Sequence, residues 1–333
     1  MLLNYIVKRI LQLLPLLVAV SIVIFVIIQL PPGDYLTTYI VQQKTAGLEV
    51  NQSNIINLTR QYGLDKPLYQ QYFYWIGNIL TKLDFGRSFQ WSVPVSQLLA
   101  ERLPATIGIS LLSLIVTWSI SIPIGIYSAT HQYSVFDYVF IFFGFIGLAV
   151  PGFLLALIAV YFIFSVTGVS LTGLFSAEYV NAAWSWAKFL DMLPRLGLVV
   201  FIVGVSQTAG MIRQMRAMLL DELQKQYVIT ARAKGLEEKK LLWKYPIRMA
   251  VNPMVSTIGW TLPGLISGEM VVSIILSMPT MGPIVRRALI TQDMYLAGSF
   301  LLIVSTLTVI GTLISDILLA VLDPRIRFGG VSE

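Results

Sequence analysis

Residues 227–240 read YVITARAKGLEEKK, a polar and basic stretch that lies between two long apolar segments. Ala231 and Gly235 are four residues apart and therefore share one edge of a helix. Gly235 suits a helix end that needs a left-handed backbone. Glu237 and Glu238 then fall in the first turn of a following helix, where the helix dipole favours acids. The stretch therefore predicts two helices joined by a sharp turn, either packed against a partner or attracted to anionic lipid.

The composition is that of a membrane protein with several spans. Of the 333 residues, 56% are hydrophobic and 12% are charged, whereas soluble domains carry about 25% charged residues. The chain has no cysteine and one histidine, His131, which excludes disulfides, thiolate metal sites and Cys–His catalysis. No basic run is interleaved with aromatic residues, so nucleic-acid binding is not expected. Neither a catalytic site nor a metal site is expected on this chain.

Six segments are apolar and long enough to span a bilayer, which takes about 20 residues. Pro151 and Gly152 interrupt the third segment and predict a kink there, because proline removes a backbone donor. The sequence therefore predicts an all-α integral membrane protein with six transmembrane helices. The six segments are 10–30, 106–129, 138–166, 196–215, 251–277 and 296–322.

The positions of Lys and Arg predict the orientation, because cytoplasmic loops of membrane proteins are enriched in both. Thirteen of the 23 basic residues fall in the N-terminal segment, between Arg213 and Arg248, or in the C-terminal tail. Both termini and the loop 213–250 are therefore predicted to be cytoplasmic. The expected organisation is a cytoplasmic segment 1–9, a first span 10–30, an external region 31–103, a five-helix core 104–322 and a cytoplasmic tail 323–333.

The stretch 227–236 closely resembles the cytoplasmic loop of permease subunits from binding-protein-dependent ABC importers, in particular the dipeptide and oligopeptide type. Other motifs extend the resemblance from end to end: PGD at 32–34, YGLDKPL at 62–68, DFGRS at 84–88, ERLP at 101–104 and LDPRIR at 322–327. The resemblance implies a fold like that of type I ABC importer permeases, with an external insertion between helices 1 and 2.

One departure concerns the Glu-Ala-Ala-x-x-x-Gly motif of the family loop. Its first three positions read Ile229, Thr230 and Ala231 here, so the glutamate is absent and only the second alanine is kept. In the family this loop forms a coupling helix that fits a groove on a cytoplasmic ATPase subunit, and Leu236 could anchor it as an apolar contact. The resemblance implies that the ATPase contact is formed by Thr230, Ala231, Arg232, Ala233, Lys234, Gly235 and Leu236.

Several partners follow from the same resemblance. The chain contains no G-x-x-x-x-G-K-[ST] phosphate loop, so ATP and Mg would be used by two separate ATPase subunits, and no cofactor is expected on this chain. A second permease subunit, as a rule a paralogue, would complete the pathway, and an external substrate-binding protein would deliver the substrate. The resemblance implies a lipid-embedded location in the bacterial or archaeal cytoplasmic (inner) membrane.

Glu269 in the fifth span has two possible roles. An ionised carboxylate facing lipid would cost about 3 kcal/mol or more, so it should face the bundle or a watery cavity. It either lines the translocation path and meets the amine of a passing peptide, or is a protonated or hydrogen-bonded packing residue. Peptide-type permeases usually carry a glutamate four residues later, where this chain has Ser273. Pro279-x-x-Gly282 matches the family and is expected to shape the outer end of the span.

Three classes of function can be compared with the sequence. The first is an importer permease that forms half of the pathway for peptides or a similar small solute. The second is an ion- or proton-coupled secondary transporter that uses Glu269 and Asp316 and needs no ATP; a structural pairing of Asp316 is the simpler expectation. An intramembrane enzyme is disfavoured because no His, Cys or Asp pair is suitably placed. The sequence leaves open the choice among dipeptides, longer peptides, glutathione, metal chelates and sugars, and whether the permease pair is a hetero- or a homodimer.

Overall fold

The computed structural model describes residues 2–30 and 65–322, with short pieces at 40–41, 44–45, 55–56 and 59 between them. The predicted PGD motif and the tail 323–333 lie outside the described residues. Within that part the secondary structure is helical apart from one isolated antiparallel bridge, between Arg87 and Pro94. In chain order the helices are α1 (Leu2–Gln29), α2 (Leu68–Lys82), α3 (Val95–Thr130), α4 (Val135–Ala149), α5 (Gly152–Thr167), α6 (Trp186–Leu223), α7 (Gln226–Ala233), α8 (Glu238–Lys244), α9 (Pro246–Ser256), α10 (Ile258–Ile275), α11 (Met281–Ile290) and α12 (Met294–Leu322).

Four helices in the described part are long and apolar enough to cross a bilayer, which confirms the all-helical membrane fold. These candidate spans are Arg9–Gln29, Val95–Thr130, Trp186–Leu223 and Met294–Leu318. Two helix pairs reach the required length only when each pair is taken together. They are Val135–Ala149 with Gly152–Thr167, bent by 102°, and Glu238–Ser256 with Thr261–Ile275, bent by 61°. The predicted count of six therefore holds only if each bent pair is one span.

The break in the third predicted span is a change of direction rather than a gentle kink. Val150 leaves α4 with an extended backbone, at φ −93° and ψ 118°. Pro151 keeps ψ at 138°, and Gly152 begins α5. Proline disfavours the helical conformation in the residue before it and cannot donate to the preceding turn. The Pro-Gly pair therefore ends one helix and starts another.

The chain divides into two compact units. The first comprises Met1–Ile10, Ala105–Pro279 and Thr308–Glu333, and the second comprises Leu11–Pro104 and Thr280–Leu307. In the first unit α6 is the central helix, since it packs against α4, α5, α9 and α10. The core around its C-terminal half is built on fully buried methionine and leucine side chains, namely Met215, Leu219 and Met254.

The second unit contains a buried acid that organises the predicted DFGRS motif. Asp293 is fully buried and accepts hydrogen bonds from the Ser88 hydroxyl (2.5 Å), the Gln90 amide (3.1 Å) and the Leu296 amide (3.3 Å). Burial raises the pKa of Asp293, and these hydrogen bonds oppose that shift. The serine of the motif therefore holds the turn that precedes α12.

Candidate functional site

The stretch 227–240 folds as a helical hairpin, as its sequence predicts. Helix α7 ends at Ala233 and α8 begins at Glu238. Between them Gly235 has φ +80°, a left-handed conformation that glycine adopts without steric cost. The amide of Gly235 donates to the Arg232 carbonyl at 3.0 Å, and that of Leu236 to the Ala231 carbonyl at 3.3 Å. These bonds close the end of α7 and fix the direction in which α8 leaves. We name the α7–α8 unit the coupling hairpin, after the role that the resemblance implies for it.

An ion pair joins the two helices of the coupling hairpin. Arg232 donates to both carboxylate oxygens of Glu238, from Nε at 3.0 Å and from Nη2 at 2.6 Å. The Arg232 guanidinium lowers the pKa of the Glu238 carboxyl by this hydrogen bonding. Both side chains are about half exposed, at 48% and 54%, so the pair contributes at most about 1 kcal/mol. Arg232 therefore already has a partner within the chain, and its contact with an ATPase stays a prediction.

Replacing Glu238 with glutamine should loosen the hairpin without unfolding the chain. Because the pKa of Glu238 is lowered in the folded protein, the stabilisation from its charge is present above the unfolded pKa and is lost as the pH falls through the folded pKa. We expect weaker protection against amide hydrogen exchange, relative to the intrinsic rate at each pH, at residues 234–236 in Glu238→Gln at neutral pH. In the wild type we expect the same loss of protection only once the pH falls through the folded pKa of Glu238. Lys239→Gln is the control, and equal exchange in both variants at neutral pH would contradict a stabilising role for the pair.

One side of the coupling hairpin packs against the rest of the chain, and the other side is exposed. Val228 and Leu241 are fully buried, and the Tyr227 hydroxyl donates to Glu222 at the end of α6. Of the seven predicted contact residues, Ala231 and Leu236 are partly buried and the rest are exposed. Trp243, whose side chain is 60% exposed on α8, was not among the predicted contact residues. A tryptophan within a charged stretch was the available signal.

Glu269 and Ser273 meet inside the first unit. Both side chains are fully buried, and the Ser273 hydroxyl donates to the Glu269 carboxylate across one turn of α10. This geometry favours the hydrogen-bonded packing role that the sequence analysis left open, while a pathway role for the pair stays a prediction. Pro279 follows the end of α10 and is partly buried, and Gly282 is buried in the first turn of α11.

Two further acids of the first unit form ion pairs. Asp316 on α12 accepts from Arg9 Nε at 2.6 Å, which agrees with the structural pairing expected for this acid. Asp137 in the first turn of α4 lies 3.1 Å from Arg216 Nη2, a pair that the sequence analysis missed. Each pair joins helices that are distant in sequence, so ionised groups near the membrane are neutralised within the chain.

Comparison with known sequences identifies the family. The model described as "Binding-protein-dependent transport system inner membrane component" matches residues 121–328, and that of the N-terminal membrane component of such systems matches residues 2–110. The oligopeptide transport system permease protein AppB of Bacillus subtilis (strain 168) is 35% identical over 97% of this chain and 99% of its own length. The oligopeptide transport system permease protein OppB of Haemophilus influenzae is 29% identical over 98% of this chain and 100% of its own length. The resemblance seen in the motifs is confirmed, and the chain belongs to the family of inner-membrane components of binding-protein-dependent transport systems.

Proposed function

We propose that this chain is one of two permease subunits of an ATP-driven importer and forms half of the translocation pathway for peptides or a similar small solute. The family assignment, and relatives whose names state oligopeptide transport, support this function. The observation that carries it is the coupling hairpin, which exposes small and basic residues at its turn while the buried side chains of Val228 and Leu241 hold it to the rest of the chain.

In this proposal the coupling hairpin inserts into a groove on a cytoplasmic ATPase subunit. Two such subunits would bind ATP and Mg, and their closure would move the hairpin together with α6, to which α7 is directly connected. Because the glutamate of the family motif is missing, the hairpin would bind the groove through close packing instead. Ala231 and Gly235 allow close approach, and Leu236 offers an apolar contact. Arg232 acts as a positioning residue through Glu238 rather than as the main contact.

The orientation is part of the proposal. Both termini and the coupling hairpin lie in the cytoplasm, because the inward segments hold most of the basic residues. The segment between the first span and α3 then faces outward, where an external binding protein would deliver the substrate to the permease pair. The second permease subunit is a paralogue in this proposal, as the resemblance to peptide-type systems implies.

Co-purification tests the function. The chain, carrying an affinity tag and expressed with the genes of its own transport system, should retain an ATPase subunit and a second permease after mild detergent extraction. ATP hydrolysis by the purified assembly should rise when the external binding protein with bound substrate is added. Recovery of the chain alone, together with uptake that does not depend on ATP, would instead support the secondary transporter that uses Glu269 and Asp316.

A further inference from the structure

Two adjoining cavities in the first unit open between α6 and α10. The larger, of about 430 Å³, is lined in part by Gln207, Gln214, Thr257 and Thr261. The smaller, of about 240 Å³, shares Gln207 and Gly264 with it. No charged side chain is among the described residues that line either cavity. Both cavities are therefore electrically neutral, and the larger one carries most of the polar side chains.

The two glutamines have unused hydrogen-bonding capacity, and Gln207 lies at membrane depth. Gln207 lies near the middle of the candidate span Trp186–Leu223, and Gln214 lies two turns further along the same helix. Within the part of the chain that the structure describes, neither carboxamide has a hydrogen-bond partner. Moving an amide from water into an apolar medium without such a partner costs about 2–7 kcal/mol, and lipid tails supply none. The Gln207 amide therefore needs water, a polar ligand or a polar group of a second subunit.

Helix α10 lines the same cavities with Thr261, Gly264 and Gly268, and Ser267 is exposed next to Gly268. Gly264, Ser267 and Gly268 are exposed on it, while Glu269 is turned into the packed core of the chain. A helix face directed at lipid is expected to be apolar, as on α12, where Ile310 and Ile314 are exposed. The exposed face of α10 carries small residues at 264, 267 and 268, with Val271 exposed one turn further along, so it leaves room for close passage of a solute.

We propose that Gln207, Gln214, Thr261 and Ser267 form a water-filled stretch of the pathway that binds the uncharged backbone amides of an extended peptide. The proposal rests on the importer function given above. A carboxamide offers one acceptor and two donors, the complement of a peptide C=O and N–H. Seven residues of helix separate the two glutamines by about 10.5 Å, which equals about three residues of extended chain. Such a surface recognises peptide backbone and is indifferent to the charge of the side chains.

Cysteine labelling tests whether this surface is in contact with water. Since the chain has no cysteine, Gln207→Cys and Ser267→Cys each introduce its one thiol. The assembled complex is treated in membranes with a water-soluble methanethiosulfonate reagent, and modification is measured on this chain. Phe143→Cys and Ile314→Cys are the controls, because these side chains are also exposed (64% and 47%) but lie on apolar faces. Labelling requires the thiolate, so we expect it to be at least about tenfold faster at 207 and 267.

Uptake of two peptides tests the indifference to charge. Gln207→Leu should lower the uptake of Ala-Lys-Ala and of Ala-Glu-Ala by the same factor, about two- to tenfold for one lost hydrogen bond, and Gln207→Asn should restore part of it. A loss confined to one of the two peptides would overturn the proposed backbone recognition.

Slow labelling at 207 and 267, equal to that at the control positions 143 and 314, would also overturn the proposal. It would indicate that the glutamines lie against the second permease rather than in water. The importer function would survive that result if an ATPase subunit still co-purifies. Conversely, positions 207 and 267 could label rapidly in a chain that retains no ATPase and takes up peptide without ATP. That result would support the water-accessible surface and contradict the importer function. The two hypotheses can therefore fail separately.

Discussion

Replacing Gly235 with arginine is expected to abolish ATP-driven uptake while the chain remains inserted in the membrane. An L-residue held at φ +80° costs roughly 1–2 kcal/mol, which is enough to shift the turn between α7 and α8. Nothing lies within 4 Å of a Cβ placed on Gly235, so the arginine side chain leaves the backbone without a clash inside the chain. It would instead project from the tip of the coupling hairpin into the groove of the proposed ATPase partner.

The matched control for this change is Gly168→Arg. Gly168 also has a positive φ, +70°, and also has nothing within 4 Å of an added Cβ, but it ends α5 and lies outside the coupling hairpin. The same backbone strain and the same charge are thus introduced elsewhere. Uptake and co-purified ATPase should fall to background in Gly235→Arg and stay near wild type in Gly168→Arg. Wild-type uptake by Gly235→Arg would remove the assignment of the hairpin as the coupling element.

A milder change at the same position separates backbone strain from bulk. Asparagine enters the left-handed region more readily than other non-glycine residues and is much smaller than arginine. Gly235→Asn should therefore retain a measurable part of the uptake. If it were as inactive as Gly235→Arg, the requirement at this position would be for the absence of any side chain rather than for the turn.

Hydropathy located the helices but not their ends. The second predicted span, 106–129, is part of α3, which runs from Val95 to Thr130. The fourth, 196–215, is the middle of α6, which extends from Trp186 to Leu223. Hydropathy registers only the portion of a helix that is apolar enough for lipid. The polar turns that continue each helix are stabilised by hydrogen bonds and packing that an apolar window does not detect.

Proline was an incomplete guide to helix breaks. Pro151, followed by Gly152, separates two helices at 102°, whereas Pro194 lies inside α6 and Pro263 inside α10. In membrane helices the backbone carbonyl that a proline frees can be satisfied by neighbouring groups. Whether a proline bends or breaks a helix therefore depends on its tertiary surroundings, which cannot be read directly from the sequence.

The candidate site was predictable where it depended on local backbone chemistry. Gly235 indicated the turn correctly because a left-handed residue is a local requirement. The pair of Arg232 with Glu238 was not predicted, because these residues are six apart and meet only through the geometry of the turn. That Glu269 faces the bundle or a cavity was predicted from the cost of a charge in lipid, but its hydrogen bond with Ser273 was not. Gln207 and Gln214 were not among the predicted site residues, although two amide side chains within the apolar segment 196–215 were a signal for them.

The second large effect is expected from Gly259→Ala, which should lower the thermal stability of the detergent-solubilised chain. A Cβ on Gly259 would lie 2.7 Å from Thr312 Cα and 2.9 Å from Thr312 N. These are backbone atoms, so α10 and α12 must move apart. Overpacking of this kind costs about 1–3 kcal/mol. The intrinsic preference of helices for alanine over glycine, about 1 kcal/mol, acts in the opposite direction and offsets only part of that cost.

Two other glycines supply the controls for Gly259→Ala. Nothing lies within 4 Å of a Cβ on Gly197 in α6, whereas a Cβ on Gly311 would lie 3.3 Å from Gly259 Cα. The melting temperature should therefore be lowest for Gly259→Ala, intermediate for Gly311→Ala, and at or above wild type for Gly197→Ala, with a change of about 2–4 °C per kcal/mol. If Gly259→Ala melted at or above wild type, the close approach of α10 to α12 would be wrong. A uniform fall in all three variants would instead indicate that the contact with Thr312 is not responsible, because a Cβ on Gly197 meets no neighbouring atom.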